Sequence, residues 1–139
     1  MLPDKLRVFA ILALCLTASC SRSGVTVSSV TRANEYREPP DISLRPSNPD
    51  SDVILVAVIR GVPAAEAAKL GRDDLYVMAG SRRCVPNIRL TGSANGKPYI
   101  QIAVIVPRNV TKFTVIAGPG RQADFAADEK ISPLAEVVE

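Results

Sequence analysis

Cys84 is the first residue to consider for chemistry, because two arginines precede its thiol directly in the sequence. Guanidinium groups beside a thiol favour the thiolate, which is the nucleophilic form of cysteine. Arg82 and Arg83 therefore predict a reactive, regulatory or disulfide-forming thiol if the side chain is exposed. A lone cysteine followed by Val85 at the start of a strand also fits a small buried apolar residue, and we favour this interpretation.

The same arginines belong to a second candidate, a basic patch for anionic polymers of the cell envelope or for lipid head groups. Arg89 and Lys97 follow in the sequence and would extend the positive charge. Solvated cations on an open face are the simpler interpretation of the same pattern. The candidate patch is Arg82, Arg83, Arg89 and Lys97.

Other chemistry is poorly supplied in this chain. It has no histidine, which excludes Ser-His-Asp and Cys-His catalysis and histidine metal sites. Asp73 and Asp74 are adjacent, and neighbouring strand positions point to opposite faces, so we expect them to cap turns or to be solvated, not to form a cation or acid–base site together. The net charge of +3 is too small to imply nucleic-acid binding, and no tryptophan is present for stacking. We expect no enzyme, no metal and no cofactor.

From Asp52 onward the sequence predicts short strands that would position these side chains. Val53–Ile59 is apolar on both faces and mostly β-branched, which is typical of a strand covered on both sides. Pro63 and Gly71 bracket a short predicted helix over residues 63–70. In the strand Tyr99–Val106, alternation places one set of side chains inward (Ile100, Ile102, Val104, Val106) and another outward (Gln101, Ala103).

Three further strands complete the predicted fold: Leu75–Met78, Val85–Thr91 and Lys112–Ala117, the last with Phe113, Val115 and Ala117 on its core side. Residues 92–96 read as a hairpin loop and residues 118–120 as a turn. Short strands separated by turns every 8 to 12 residues or so predict a small antiparallel β-sandwich with one short helix.

The first nineteen residues have the composition of an export signal. Lys5 and Arg7 give a positive start, and Val8–Leu16 is an apolar run far shorter than the roughly 20 residues that a membrane span needs. Small residues then precede Cys20, whose thiol would accept a lipid. The segment resembles the signal of bacterial lipoproteins, with Thr17 where leucine is usual.

This resemblance implies lipid attachment at Cys20 and a place in the bacterial cell envelope. Ser21 follows the cysteine instead of aspartate, which in a Gram-negative cell implies the outer membrane. Acylation of Cys20 would leave Cys84 as the one free thiol of the mature chain. Without acylation, ordinary secretion with cleavage near Ala18 would allow a Cys20–Cys84 disulfide.

The predicted organisation has four parts. Residues 1–19 are the signal, residues 20–50 a flexible tether, residues 51–120 the sandwich and residues 121–139 an acidic tail. The tether is predicted from its many serines and prolines, which disfavour helix and core formation. Within it, β-branched residues at 25–30 could add an edge strand.

A second resemblance concerns the sandwich itself. The run from Ile102 to Val115 resembles the strand, Pro-basic turn and strand that occur late in telokin-like immunoglobulin-fold domains of bacterial exported lipoproteins. Asp73–Gly80 resembles an earlier strand and turn of the same domains. The likeness covers roughly residues 52–118 and implies an immunoglobulin-like sandwich, while the predicted helix and the lack of a buried tryptophan and paired cysteines depart from antibody-type domains.

Together these features predict a membrane-anchored envelope lipoprotein that acts as a non-enzymatic binding or structural module. Its partner would be a protein or polymer of the envelope, and nucleic acid is not expected. The alternative is a thiol-dependent activity or redox regulation at Cys84. Exposure of Cys84 separates these two hypotheses.

Overall fold

A computed structural model describes residues 24–136 of the chain. The predicted signal and Cys20 lie outside the described residues. Over this range the protein is mainly β, as predicted. The strands are β1 (Thr26–Ala33), β2 (Tyr36–Glu38), β3 (Ile42–Leu44), β4 (Asp52–Arg60), β5 (Leu75–Ala79), β6 (Arg82–Cys84), β7 (Ile88–Ala94), β8 (Lys97–Pro107), β9 (Lys112–Ala117), β10 (Gln122–Ala126) and β11 (Ala135–Glu136), and α1 is a short helix at Ala64–Ala67.

Two four-stranded sheets pack face to face as a β-sandwich. The central sheet has the strand order β1-β4-β8-β7, and the open sheet has the order β10-β9-β5-β6. The strand pairs within both sheets are antiparallel. A small third sheet, ordered β11-β2-β3, covers the outer face of the central sheet and contains the parallel pair β11-β2.

Alternation along the strands builds the main core between the central and open sheets. Every second side chain of β8 and β9 points into it, which confirms the predicted inward faces of both strands. Each fully buried Val, Leu, Ile or Phe contributes roughly 1.5–3 kcal/mol. The core side chains of β4, β5, β8 and β9 are Val53, Leu55, Ala57, Ile59, Leu75, Val77, Ala79, Ile100, Ile102, Val104, Val106, Phe113, Val115 and Ala117.

The outer face of the central sheet is buried as well, which corrects the prediction that Gln101 and Ala103 face outward to solvent. Both are only 1% exposed, because the small sheet packs over them. The Gln101 amide nitrogen donates to the Tyr36 hydroxyl oxygen at 3.1 Å. The Tyr36 hydroxyl in turn donates to Glu38 at 3.0 Å. The polar Gln101 side chain can therefore be buried here because the Tyr36 hydroxyl accepts its hydrogen bond.

The predicted flexible tether over residues 20–50 is wrong for the residues described. β1 pairs with β4 from Thr26↔Arg60 to Ala33↔Ile54, so the β-branched stretch at 25–30 does form an edge strand, and it is longer than expected. β2 and β3 pair with each other and form most of the small sheet. This part of the chain is folded because Tyr36 and its neighbours bury the second face of the central sheet.

The described part of the predicted acidic tail, residues 121–136, likewise belongs to the domain. β10 pairs with β9, and β11 pairs with β2. Arg32 is 3% exposed, and its guanidinium donates to the carbonyl oxygens of Asp128 at 3.3 Å and Glu129 at 3.1 Å, and to that of Arg108. The folded domain therefore takes in residues 24–136 and exceeds the predicted limits of 51–120.

One end of the sandwich, which we call the Gly24 end, collects the first described residues. Gly24 lies so close to Gly61 that a Cβ at Gly61 would collide with the Gly24 carbonyl oxygen. The β7–β8 hairpin projects from the same end and turns at Asn95 and Gly96, whose φ angles of 55° and 75° suit a tight two-residue turn. The predicted loop at 92–96 is therefore shorter than expected.

Candidate functional site

Arg83 and Arg89 converge from the two large sheets on one loop, residues 70–74, which joins α1 to β5. Arg89 donates to the carbonyl oxygen of Leu70 at 2.8 Å, and Arg83 donates to that of Asp73 at 3.2 Å. The Arg83 guanidinium carbon also lies 4.1 Å from the centroid of the Tyr76 ring, within cation–π range. These two arginines of the candidate patch therefore hold a loop in place.

The aspartates of this loop behave as the sequence predicts. The Asp74 carboxylate accepts a hydrogen bond from the Gly71 amide at 2.9 Å, so it caps the turn. Asp73 forms an exposed ion pair with Arg83 at 3.4 Å. An exposed pair of this kind contributes about 0–1 kcal/mol. The loop is therefore held mainly by the hydrogen bonds from the two arginines to its backbone carbonyl oxygens.

The structure does not bring Arg82 and Lys97 to this loop. Arg82 forms an ion pair with Asp52 at 3.2 Å, at the end of the sandwich opposite Gly24. Lys97 lies in the β7–β8 hairpin, opposite Ala94 and about 17 Å along β7 from Arg89 at roughly 3.3 Å per residue. The candidate patch is thus divided between two sheets and two ends of the molecule.

Cys84 points into the main core and is 4% exposed. Burial raises the pKa of its thiol, while the nearby Arg82 acts in the opposite direction and does not overcome it. The thiol contacts the Arg82 carbonyl oxygen at 3.9 Å as a weak donor. This environment suits the interpretation of Cys84 as a small buried apolar residue and does not supply the exposure that a reactive thiol requires.

A shallow depression of about 570 Å³ lies at the edge of the open sheet. Phe113 and Phe125, which are among its lining residues, stack with ring centroids 5.5 Å apart and planes inclined by 26°. The carboxylate of Asp124 already accepts a hydrogen bond of 2.6 Å from Thr114. The lining suits contact with an apolar side chain of a partner better than acid–base chemistry, and it consists of Met78, Gly80, Lys112, Phe113, Thr114, Asp124, Phe125 and Ala126.

A second cleft of about 160 Å³ lies beside the loop at residues 70–74. It is lined by Gly71, Arg72, Leu75, Val85, Pro86, Asn87 and Arg89. The Arg89 side chain in this lining donates to the Leu70 carbonyl oxygen, so it is the same arginine that holds the loop at residues 70–74.

Arg32 is a structurally important residue that sequence reasoning missed. It lies in the stretch interpreted as tether, and nothing in its local sequence signals that distant carbonyl oxygens will surround it. Its burial, together with the nearby Arg108, lowers the pKa of the guanidinium. Its Nε atom has no hydrogen-bond partner among the described residues. The hydrogen bonds of Arg32 connect β1 to the last third of the chain. We therefore interpret its role as structural.

Within residues 24–136, no three His, Cys, Asp or Glu side chains lie together in a way that could hold a metal ion. The helix in this part of the chain is also too short to cross a membrane. Comparison with protein-family models, curated proteins and solved structures found no significant match.

Proposed function

We propose that this protein is a lipid-anchored component of the bacterial cell envelope and acts as a non-enzymatic binding or structural module. The observation that carries the proposal is the position of the lipidation motif relative to the fold. Only Ser21, Arg22 and Ser23 separate Cys20 from Gly24, where the described domain begins. Cleavage before Cys20 would remove the signal and leave the sandwich whole.

The composition of the two cores supports this proposal. Their described members run from Val25 to Ala135, so the residues that pack the domain come after the proposed cleavage point. A lipid on Cys20 would then hold a folded domain at the membrane surface. Ser21 after the cysteine favours the outer membrane in a Gram-negative cell.

A binding or structural role fits the use that the domain makes of its polar groups. Arg82, Arg83 and Arg89 contact groups of the protein itself, and Cys84 is buried. The surfaces available for a partner are the depression beside Phe125 and the charged ends of the sandwich. The partner is a protein or polymer of the envelope. The burial of Cys84 disfavours the thiol-dependent alternative.

The test is metabolic labelling with a radioactive fatty acid in a bacterial host that expresses the full chain. We expect the wild type to take up label and fractionate with membranes, because acyl chains contribute about 0.8 kcal/mol per buried methylene. Cys20→Ala should abolish the label. Cys15→Ala is the matched control, since Cys15 lies in the apolar run of the signal and should leave labelling intact. A wild type without label, or a Cys20→Ala chain with label, would refute the proposal.

A further inference from the structure

We propose that the Gly24 end of the sandwich rests on an anionic phospholipid bilayer, with the basic side chains of this end contacting lipid phosphate groups. The inference deepens the proposed function and rests on it, because lipid attachment at Cys20 is what brings this end to the membrane. It differs from the candidate patch in the residues involved. Of that patch, only Lys97 would contact the membrane.

The connection between Cys20 and the domain is short, which is the first observation that supports this inference. From Cys20 to Gly24 the backbone reaches at most about 14 Å when fully extended. The nine-residue strand β4 alone spans about 30 Å from one end of the sandwich to the other. Because the described residues of the predicted tether form strands of the domain, a lipid on Cys20 would hold the Gly24 end close to the head groups.

The elements gathered at this end follow from the register of the central sheet. Thr26 pairs with Arg60, Arg60 with Tyr99, and Tyr99 with Gly92. The tip of the β7–β8 hairpin extends beyond this row, with Lys97 exposed. On the open sheet, the turn at residues 118–121 and the loop at 70–74 lie at the same end, where Leu75 pairs with Ala117.

Basic side chains outnumber acidic ones among these elements. They are Arg60, Lys69, Arg72, Lys97 and Arg121, with Arg83 and Arg89 directed to the loop behind them. Glu66 is shared between Lys69 at 3.8 Å and Arg121 at 3.4 Å. The other two carboxylates, Asp73 and Asp74, bond to Arg83 and to the Gly71 amide. The net charge of this end is positive.

Arg60 and Tyr99 add a second feature that suits a head-group layer. The Arg60 guanidinium carbon lies 5.7 Å from the centroid of the Tyr99 ring, and both side chains are half-buried at the base of the hairpin. Tyrosine and basic side chains are enriched where proteins meet lipid head groups. Gly92 lies opposite Tyr99 in the hairpin, and the Tyr99 ring occupies the space that a Cβ at position 92 would take.

The opposite end is close to charge balance. Its basic side chains are Arg82, Arg108, Lys112 and Lys130, and its acidic side chains are Asp50, Asp52, Asp128 and Glu129. The sequence has excess basic charge at 51–120 and excess acidic charge at 121–139. The fold carries Asp128 and Glu129 of this acidic segment to the end remote from Gly24, where they are kept away from anionic lipid.

The test places a fluorescent label at either end of the lipidated protein in vesicles. Ser93→Cys labels the hairpin at the Gly24 end, and Ser81→Cys is the matched control at the opposite end; both serines are exposed. The vesicles contain phosphatidylglycerol and phosphatidylcholine with a head-group quencher lipid. The protein with only its native cysteines corrects for dye that reaches Cys84.

We expect the label at position 93 to be quenched several-fold more strongly than the label at position 81. Replacing an exposed cation near the surface, as in Lys97→Gln or Arg72→Gln, should lower the ratio of docked to undocked protein by about fivefold each, and Lys130→Gln should not. Equal quenching at positions 93 and 81, or no response to Lys97→Gln and Arg72→Gln together, would overturn the inference.

Failure of the proposed function would look different. A chain without lipid would leave both labels in the soluble fraction when vesicles are floated at high salt. A lipidated chain that floats with both labels equally quenched would refute the docked orientation alone. Inserting a ten-residue Gly/Ser stretch before Gly24 should lower the quenching at position 93, and an unchanged value would show that the short connection is not what holds this end down.

Discussion

The two faces of the central sheet are both buried, but by different means. The inner face presents Val, Leu and Ile side chains of β4 and β8 to the open sheet, and its partners there are apolar too. The outer face is covered by three short strands, which combine an apolar cluster around Tyr36 with a hydrogen bond from Gln101 to Tyr36. The inner face depends on apolar area alone, which many side-chain arrangements can supply, while the outer face adds a directional hydrogen-bonded arrangement to its apolar area.

The difference shows where the domain is tolerant and where it is specific. Apolar burial is non-directional, so conservative changes on the inner face should be absorbed by repacking. The hydrogen bonds of Tyr36 and Gln101 fix how the small sheet lies on the central one. Substitutions on the two faces should therefore differ in size and in pH dependence.

Val104→Asp on the inner face has the largest expected effect. The change buries a carboxylate in the apolar main core, where Val104 is 0% exposed. The cost is several kcal/mol against a total stability of about 5–15 kcal/mol, so we expect loss of the folded state by circular dichroism. Thr91→Asp, at an exposed position on the edge strand β7, is the control and should shift stability by about 0.5 kcal/mol or less. Similar tolerance of both changes would contradict the inner-face assignment.

Ile54→Ala tests whether the outer face is truly covered. Ile54 is 0% exposed and packs in the second cluster with Tyr36. We expect a loss of about 2–5 kcal/mol in urea unfolding, because truncation of a buried isoleucine leaves a cavity. Leu55→Ala, on the opposite face of the same strand, is the matched comparison and should cost a similar amount. A cost below about 1 kcal/mol for Ile54→Ala alone would mean that the small sheet does not pack as described.

Tyr36→Phe should have the smallest effect on stability and a distinctive pH dependence. It removes hydrogen bonds to Gln101 and Glu38 at a cost of about 1–2 kcal/mol near neutral pH. Burial, helped by Glu38, raises the pKa of Tyr36 to about 12 from its ordinary value of 10.0. The folded state therefore holds this proton more tightly than the unfolded state does, and the associated stability is present below pH 10 and is lost as pH rises toward about 12.

Urea midpoints of wild type and Tyr36→Phe at pH 9 and pH 11.5 check this sign. The wild type should lose more stability than the variant over that interval. All other groups of the chain are common to the two proteins, so the difference between their pH profiles isolates Tyr36. Identical pH profiles would show that Tyr36 is not buried in its neutral form.

Much of the sandwich could be predicted because its long strands carry their burial in their own sequence. Val53–Ile59 is apolar at every position, and β8 and β9 alternate, so their inward faces follow from side-chain period alone. The small sheet could not be predicted in this way. β2 and β3 are short and partly exposed, and they are held by apolar packing of Tyr36 and by its hydrogen bond with Gln101. Alternation along β8 predicts an outward Gln101, so the sequence does not reveal this contact.

The candidate patch shows the same limit. Arg82, Arg83, Arg89 and Lys97 are close in sequence, but alternation along β6 and the chain passage from β6 to β7 send them to different sheets. The turn-capping role expected for Asp74 is confirmed because it is a local interaction. The buried environment of Arg32 depends on residues about a hundred positions away, which no local pattern reports.

The contact of Arg32 with the far end of the chain has a consequence for the order in which the protein can be assembled. A polypeptide that crosses a membrane N-terminus first delivers β1 early, but the carbonyl oxygens of Asp128 and Glu129 and the strand β11 arrive last. Arg32 and β2 must wait for them, so the fold closes only when nearly the whole chain has emerged. Under the export that we propose, the chain would keep an incomplete sheet edge until translocation is almost complete.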